Sequence, residues 1–129
     1  MLPRARRITI ADEFTVCVRR GARAGTRTVV AHLFDRDAPA AVHEPARAGF
    51  IVGKSVGNSV IRHRVVRRLR HVTGPLLDTL PAGALLVIRA LPASARASSA
   101  ELARDCAAGI ERAGSRARSS AVAGSGSPR

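Results

Sequence analysis

Between Glu44 and Asp78 the chain contains no acidic residue, and this window holds the run Lys54–His71, KSVGNSVIRHRVVRRLRH. At roughly 100° per residue, Ile61, Val65, Leu69, Val72 and Leu76 fall on one apolar stripe. The opposite side presents His63, Arg64, Arg67, Arg70 and His71, with Arg62 and Arg68 at the edges, where long side chains can snorkel outward. The pattern predicts a helix with an aliphatic stripe for a sheet and a basic face turned away from it. The turn Val56-Gly57-Asn58-Ser59 opens this helix, and Gly74-Pro75 is expected to end or kink it.

The whole chain shares this bias. Its 129 residues carry a formal net charge of +13, and Lys54 is the only lysine among 22 basic residues. Such a balance opposes compaction unless a polyanion is bound, and it favours nucleic acid or an anionic membrane surface. Guanidinium groups are planar, bidentate donors suited to phosphate, although GC-rich coding also raises arginine content. Phe14, Phe34 and Phe50 are the only aromatic residues, so the core is expected to be aliphatic. Cys17 and Cys106 fit no CxxC spacing and read as buried free thiols in a reducing cytoplasm. No apolar run reaches about 18 residues, and the basic N-terminus is not followed by an apolar signal segment.

Read in order, residues 1–8 form a basic arm with Arg4, Arg6 and Arg7. Thr9 is placed to cap a helix over 10–20, with Ile10, Phe14, Cys17 and Val18 on one face and Gly21 at its C-terminal end. Strands are expected at 26–36, 46–54 and 84–91, with Gly53 hinting at a bulge or close backbone approach. Residues 35–45 read as a solvated loop. Ser98 and Glu101 form a capping-box pattern before a helix carrying Leu102, Cys106, Ile110 and Ala113. From Gly114 onward the composition predicts disorder. The domain is thus expected to span 9–113, between a basic arm (1–8) and a disordered tail (114–129). The fold class is α+β, a small two-layer sandwich in the order α-β-β-β-α-β-α with a mixed sheet.

No catalytic constellation emerges. Asp35 and Asp37 could share a divalent ion but read as a solvated loop pair. His63 and His71 are too far apart to share one, and neither belongs to an HExxH motif. Gly53-x-x-x-Gly57 lacks the GK[ST] ending of a phosphate loop. The nucleic-acid signal is stronger. A solvated helix face usually mixes charge signs, because i,i+4 pairs stabilise it, and this one does not. The apolar stripe lacks the aromatic anchors of a membrane-surface helix. An RNA backbone and a DNA major groove both remain compatible with an arginine helix.

The segment Lys54-Ser55-Val56-Gly57-Asn58-Ser59-Val60-Ile61-Arg62-His63-Arg64, followed by Val66-Arg67-Arg68-Leu69-Arg70, resembles the signature of the bacterial ribonuclease P protein component. Arg7-Ile8, Asp12-Glu13-Phe14, Arg20-Gly21, Arg27-x-Val29-Val30 and Val87-Ile88-Arg89-x-x-Pro92 resemble flanking parts of the same family. Departures are His63 for a central asparagine, Ser55 and Val66 for lysines, Val18 for an aromatic residue of the first helix, and His32 for a strand aromatic.

The resemblance implies a non-catalytic protein subunit that assists an RNA enzyme in hydrolysing the 5′ leader from precursor tRNA. Lys54, Asn58, Arg62, His63, Arg64, Arg67, Arg68 and Arg70 would then dock on the RNA subunit. Phe14, Cys17, Val18, Arg27 and His32 would line a leader cleft between the first helix and the sheet. It further implies a left-handed βαβ crossover through the basic helix, and Mg²⁺ held mainly by RNA phosphates rather than by the protein. The implied partners are the catalytic RNA and precursor tRNA, in the cytoplasm, with no membrane and no obligate protein partner. The alternative is a general RNA- or DNA-binding module without a role in tRNA processing.

Overall fold

The computed structural model describes residues 2–36 and 44–125, with side chains through residue 118. Asp37, Pro39 and residues 126–129, which carry expectations above, lie outside the described residues. Helix α1 spans Ala11–Arg20, with Asp12 and Glu13 in its first turn and Arg19 and Arg20 in its last. Those charges oppose the helix dipole at both ends. Thr9 does not cap it. Ile8 still donates its N–H to the Ala48 carbonyl at 2.8 Å, so the chain stays extended and Ile10 takes the N-cap position. Ile10 is 55% exposed, which leaves Phe14, Cys17 and Val18 as the inward face. Gly21 ends the helix with φ at −73°, not in the left-handed conformation.

Four strands follow: β1 (Ala22–Gly25), β2 (Val29–Phe34), β3 (Arg47–Ile51) and, after the second helix, β4 (Leu85–Ala90). The sheet order is β1-β2-β4-β3, antiparallel except for the parallel β3–β4 pair. The located strands are all shorter than their sequence patterns. The sequence pattern gives no place to β1, because ARAG has neither β-branched nor aromatic residues. Gly49 and Gly83 are two glycines that the sheet needs. A Cβ at Gly49 would overlap the Phe14 ring, so the close approach expected at Gly53 occurs at Gly49 instead. Gly83, with φ at 77°, makes the turn into β4 in a conformation that favours glycine.

Period-two alternation divides the strands between two faces. Val29, Ala31, Leu33, Ala48, Leu86 and Ile88 pack under two helices, while Leu85, Val87, Phe34 and Ile51 pack with α1. The first of those two helices is α2, Ser59–Leu77. Its fully buried line is Val65, Leu69, Thr73 and Leu77, with Ile61, Val72 and Leu76 partly buried beside it. Burying each leucine there contributes roughly 1.5–3 kcal/mol. Gly74-Pro75 does not end α2. Pro75 removes one backbone bond near the last turn, and the packing of Leu76 and Leu77 offsets that loss.

The second is α3, Ser99–Ser125. Its expected capping box is present: the Ser98 N–H reaches Glu101 Oε1 and the Glu101 N–H reaches Ser98 Oγ, each at 3.1 Å. Leu102, Cys106, Ile110 and Ala113 are all buried. The helix continues through residue 125 where composition predicted disorder from Gly114. Alanine and arginine favour helix, and the Arg112 and Arg116 guanidinium groups anchor it by donating to the Gly25 and Arg23 carbonyls of β1. The N-terminal segment is no free arm either. Leu2 and Ile8 enter the core, Arg7 bridges to Ala48 beside β3, and Arg6 bonds the Ala46 carbonyl at 2.9 Å and Asp78 at 3.2 Å.

Candidate nucleic-acid interface

The α2 face is built by a cap at one end and a buried line along its length. Asn58 Oδ1 accepts the Ile61 N–H at 3.0 Å, so the side chain of Asn58 is committed to starting the helix. Val56 is buried beneath the preceding turn and holds Lys54 out into solvent. With Val65 and Leu69 turned inward, His63 and Arg67 are exposed, and Arg62, Arg64 and Arg70 are half-buried. The Nε atoms of those three half-buried arginines have no hydrogen-bond partner. Arg68 differs from its neighbours: its Nη1 donates to the Ala97 carbonyl at 3.0 Å and ties α2 to the entrance of α3. A shallow groove runs past His63, Arg67, Arg68, Arg70 and His71, and a smaller one past Val60, His63 and Arg64. Val60 is 73% exposed at the rim of the latter.

The ion pairs lie elsewhere. Asp78, Glu101, Glu13 and Glu44 pair with Arg6, Arg27, Arg36 and Arg47, and among the described residues no acid pairs with a cation of α2. The face therefore keeps its positive charge and several unspent N–H donors. Both suit phosphate oxygens.

The second region lies where α1 crosses the opposite sheet face. Phe14 stacks over Gly49, and Phe14 and Val18 are half-buried on the helix side. Cys17 does not line this cleft. It is fully buried, with Sγ 3.2 Å from the His32 carbonyl and 3.3 Å from the Leu85 carbonyl. Burial pushes its thiol pKa up to about 12, which makes it an inert core residue. Cys106 is likewise a buried free thiol, pushed up to about 12.

Arg27 is not brought into the cleft either. From the β1–β2 turn it pairs with Glu101 of α3 at 2.6 Å. His32 is only 3% exposed, and neither ring nitrogen has a partner. Its pKa is lowered by burial first, then by the charges of Arg89 and Arg23. Register explains those neighbours: Arg23 stands opposite His32, and Arg89 stands opposite Val30, one step along the same face. Both arginines are exposed. They are the site cations that sequence reasoning missed. For Arg89 the signal was present, as a lone arginine in the apolar run ALLVIRAL, two residues beyond Val87 on the same face.

Among the described residues no three His, Cys, Asp or Glu side chains group closely enough to hold a metal ion. None of the helices among the described residues is long and apolar enough to cross a membrane.

Comparison with known proteins adds a family. A family profile described as Ribonuclease P matches residues 2–114. The ribonuclease P protein component of a Nocardioides species is 50% identical over 105 residues, covering 81% of this chain and 88% of that protein. The Streptomyces bikiniensis protein of the same name is 46% identical over 116 residues, covering 87% and 94%. Among solved structures, the ribonuclease P protein of Staphylococcus aureus superposes with a TM-score of 0.70 at 17% identity, over 84% of this chain and 94% of that one. The Thermotoga maritima protein, in complex with 1-(4-fluorophenyl)-2-thiourea, gives 0.65 at 14% identity, over 78% and 92%.

Proposed function

The chain belongs to the ribonuclease P protein family, and from that premise we propose that it is the protein subunit of an RNA-based endoribonuclease that removes 5′ leaders from precursor tRNA in the cytoplasm. The observation that carries this reading is the unneutralised arginine face of α2, whose charge and free donors call for a polyanion. Lys54, Arg62, His63, Arg64, Arg67 and Arg70 dock on the RNA subunit, Asn58 holds the helix that presents them, and Arg68 does both. On the other face Phe14 and Val18, with Arg23 and Arg89 around the buried His32, receive the single-stranded leader. The apolar side chains contact bases and the arginines take phosphates.

The protein's part is positioning and charge. Mg²⁺, when bound, would be held by RNA phosphates and would supply an activated water there. The arginines of α2 reduce phosphate repulsion at the docking surface, which lowers the Mg²⁺ concentration the RNA requires. Membership of the family disfavours the alternative of a general nucleic-acid-binding module. Reconstitution with a bacterial ribonuclease P RNA and precursor tRNA at low Mg²⁺ tests the proposal. Faster leader removal is expected, and an absence of stimulation overturns it.

A further inference from the structure

A third basic surface lies outside both regions. Where α1 ends and α3 passes the edge strand β1, a groove opens with Arg20, Arg23, Arg116 and Arg118 on its walls. Its floor includes Leu33, Leu76, Leu80 and Ile110, and Phe34 lies along one side. Asp35 and Glu111 also face it, yet among the described residues neither forms an ion pair with any of the four arginines. Arg116 donates to the Arg23 carbonyl, while among the described residues the side chains of Arg20 and Arg118 make no hydrogen bond. Two of its four arginines, Arg116 and Arg118, lie past residue 114, where the family match ends.

The chemistry of the lining selects among polyanions. An RNA duplex offers mainly phosphates and ribose outward, and has no use for an apolar floor. A single strand has unpaired bases for Phe34 and the leucines as well as phosphates for the arginines. The groove is also continuous with the leader cleft. Arg23 stands opposite His32 on the cleft face and lines the groove as well, and Phe34 packs with the α1 cluster while facing the groove. We propose that this groove is a second single-stranded RNA site, which takes the part of a leader that runs on beyond the cleft. The proposal rests on the leader-binding reading above and extends it to longer leaders.

The test uses the holoenzyme and an Arg20→Gln, Arg118→Gln double variant, with precursor tRNAs whose leaders are about 4 or about 20 nucleotides long. On the long leader the variant binds more weakly, and its log K against log salt slope is shallower by about 1.4. On the short leader it binds like the unaltered protein. No difference on either substrate overturns the proposal, as does equal weakening on both, which would put another part of the RNA in the groove. If the unaltered holoenzyme does not distinguish precursor from mature tRNA, the parent reading of leader binding fails instead. The isolated protein titrated with a single-stranded oligoadenylate then decides the groove alone. A shallower slope for the variant supports a single-stranded RNA site, and equal slopes overturn it.

Discussion

At the foot of β3, Arg36 and Arg47 converge on Glu13 and Glu44; along α2 no arginine meets an acid among the described residues. The two sets differ in what the guanidinium groups meet. The Arg47 and Glu13 side chains are each only 16% exposed, so their charges are taken partly out of water and need one another. Arg36 bonds Glu44 at 2.5 Å and holds its carboxyl below the usual carboxylate range, so this contact weakens as pH falls. On α2 Arg67 is exposed while Arg62, Arg64 and Arg70 are half-buried, and among the described residues none of them has an acid beside it. In a chain with only nine acids and a net charge of +13, Glu13 and Glu44 stand beside arginines that serve the fold, and among the described residues no acid meets an arginine of α2.

Glu13→Ala breaks that contrast from the fold side. It leaves Arg47 half-buried without its carboxylate, and a loss of about 2–3 kcal/mol in stability is expected from chemical denaturation. The salt dependence of RNA binding should not change. Arg68→Ala tests the residue that belongs to both sets. Losing its bond to the Ala97 carbonyl should cost about 1 kcal/mol of stability, and the RNA-binding slope should also flatten. A purely structural or purely electrostatic effect would assign Arg68 to one set alone. Arg64→Ala should leave the thermal transition unchanged and flatten the slope by about 0.7–0.9. An unchanged slope would remove Arg64 from the RNA interface.

What could be read from the sequence was what local chemistry determines. The Ser98–Glu101 box, the apolar lines of α2 and α3 and the basic face of α2 each depend on residues a few positions apart. Non-local contacts were hidden. Leu2 and Ile8 join the core through pairing with β3, so a basic-looking arm is part of the fold. The weak strand β1 exists because β2 pairs with it and α3 covers it. In the candidate site, Cys17 and Arg27 are placed in the cleft by the family resemblance, and the third dimension sends one into the core and the other to Glu101. Arg23 and Arg89 became visible only once the register set them around His32.

The anchoring of the two outer strands has a consequence for the protein before it meets any RNA. Exposed strand edges are templates for pairing with other copies, and so a route to aggregation. Here the N-terminal segment lies along β3, and Arg112 and Arg116 occupy carbonyls of β1. Each of those arginines blocks a backbone acceptor and adds charge that repels a second copy. Both outer edges of the sheet are thereby made poor templates for pairing with a second copy.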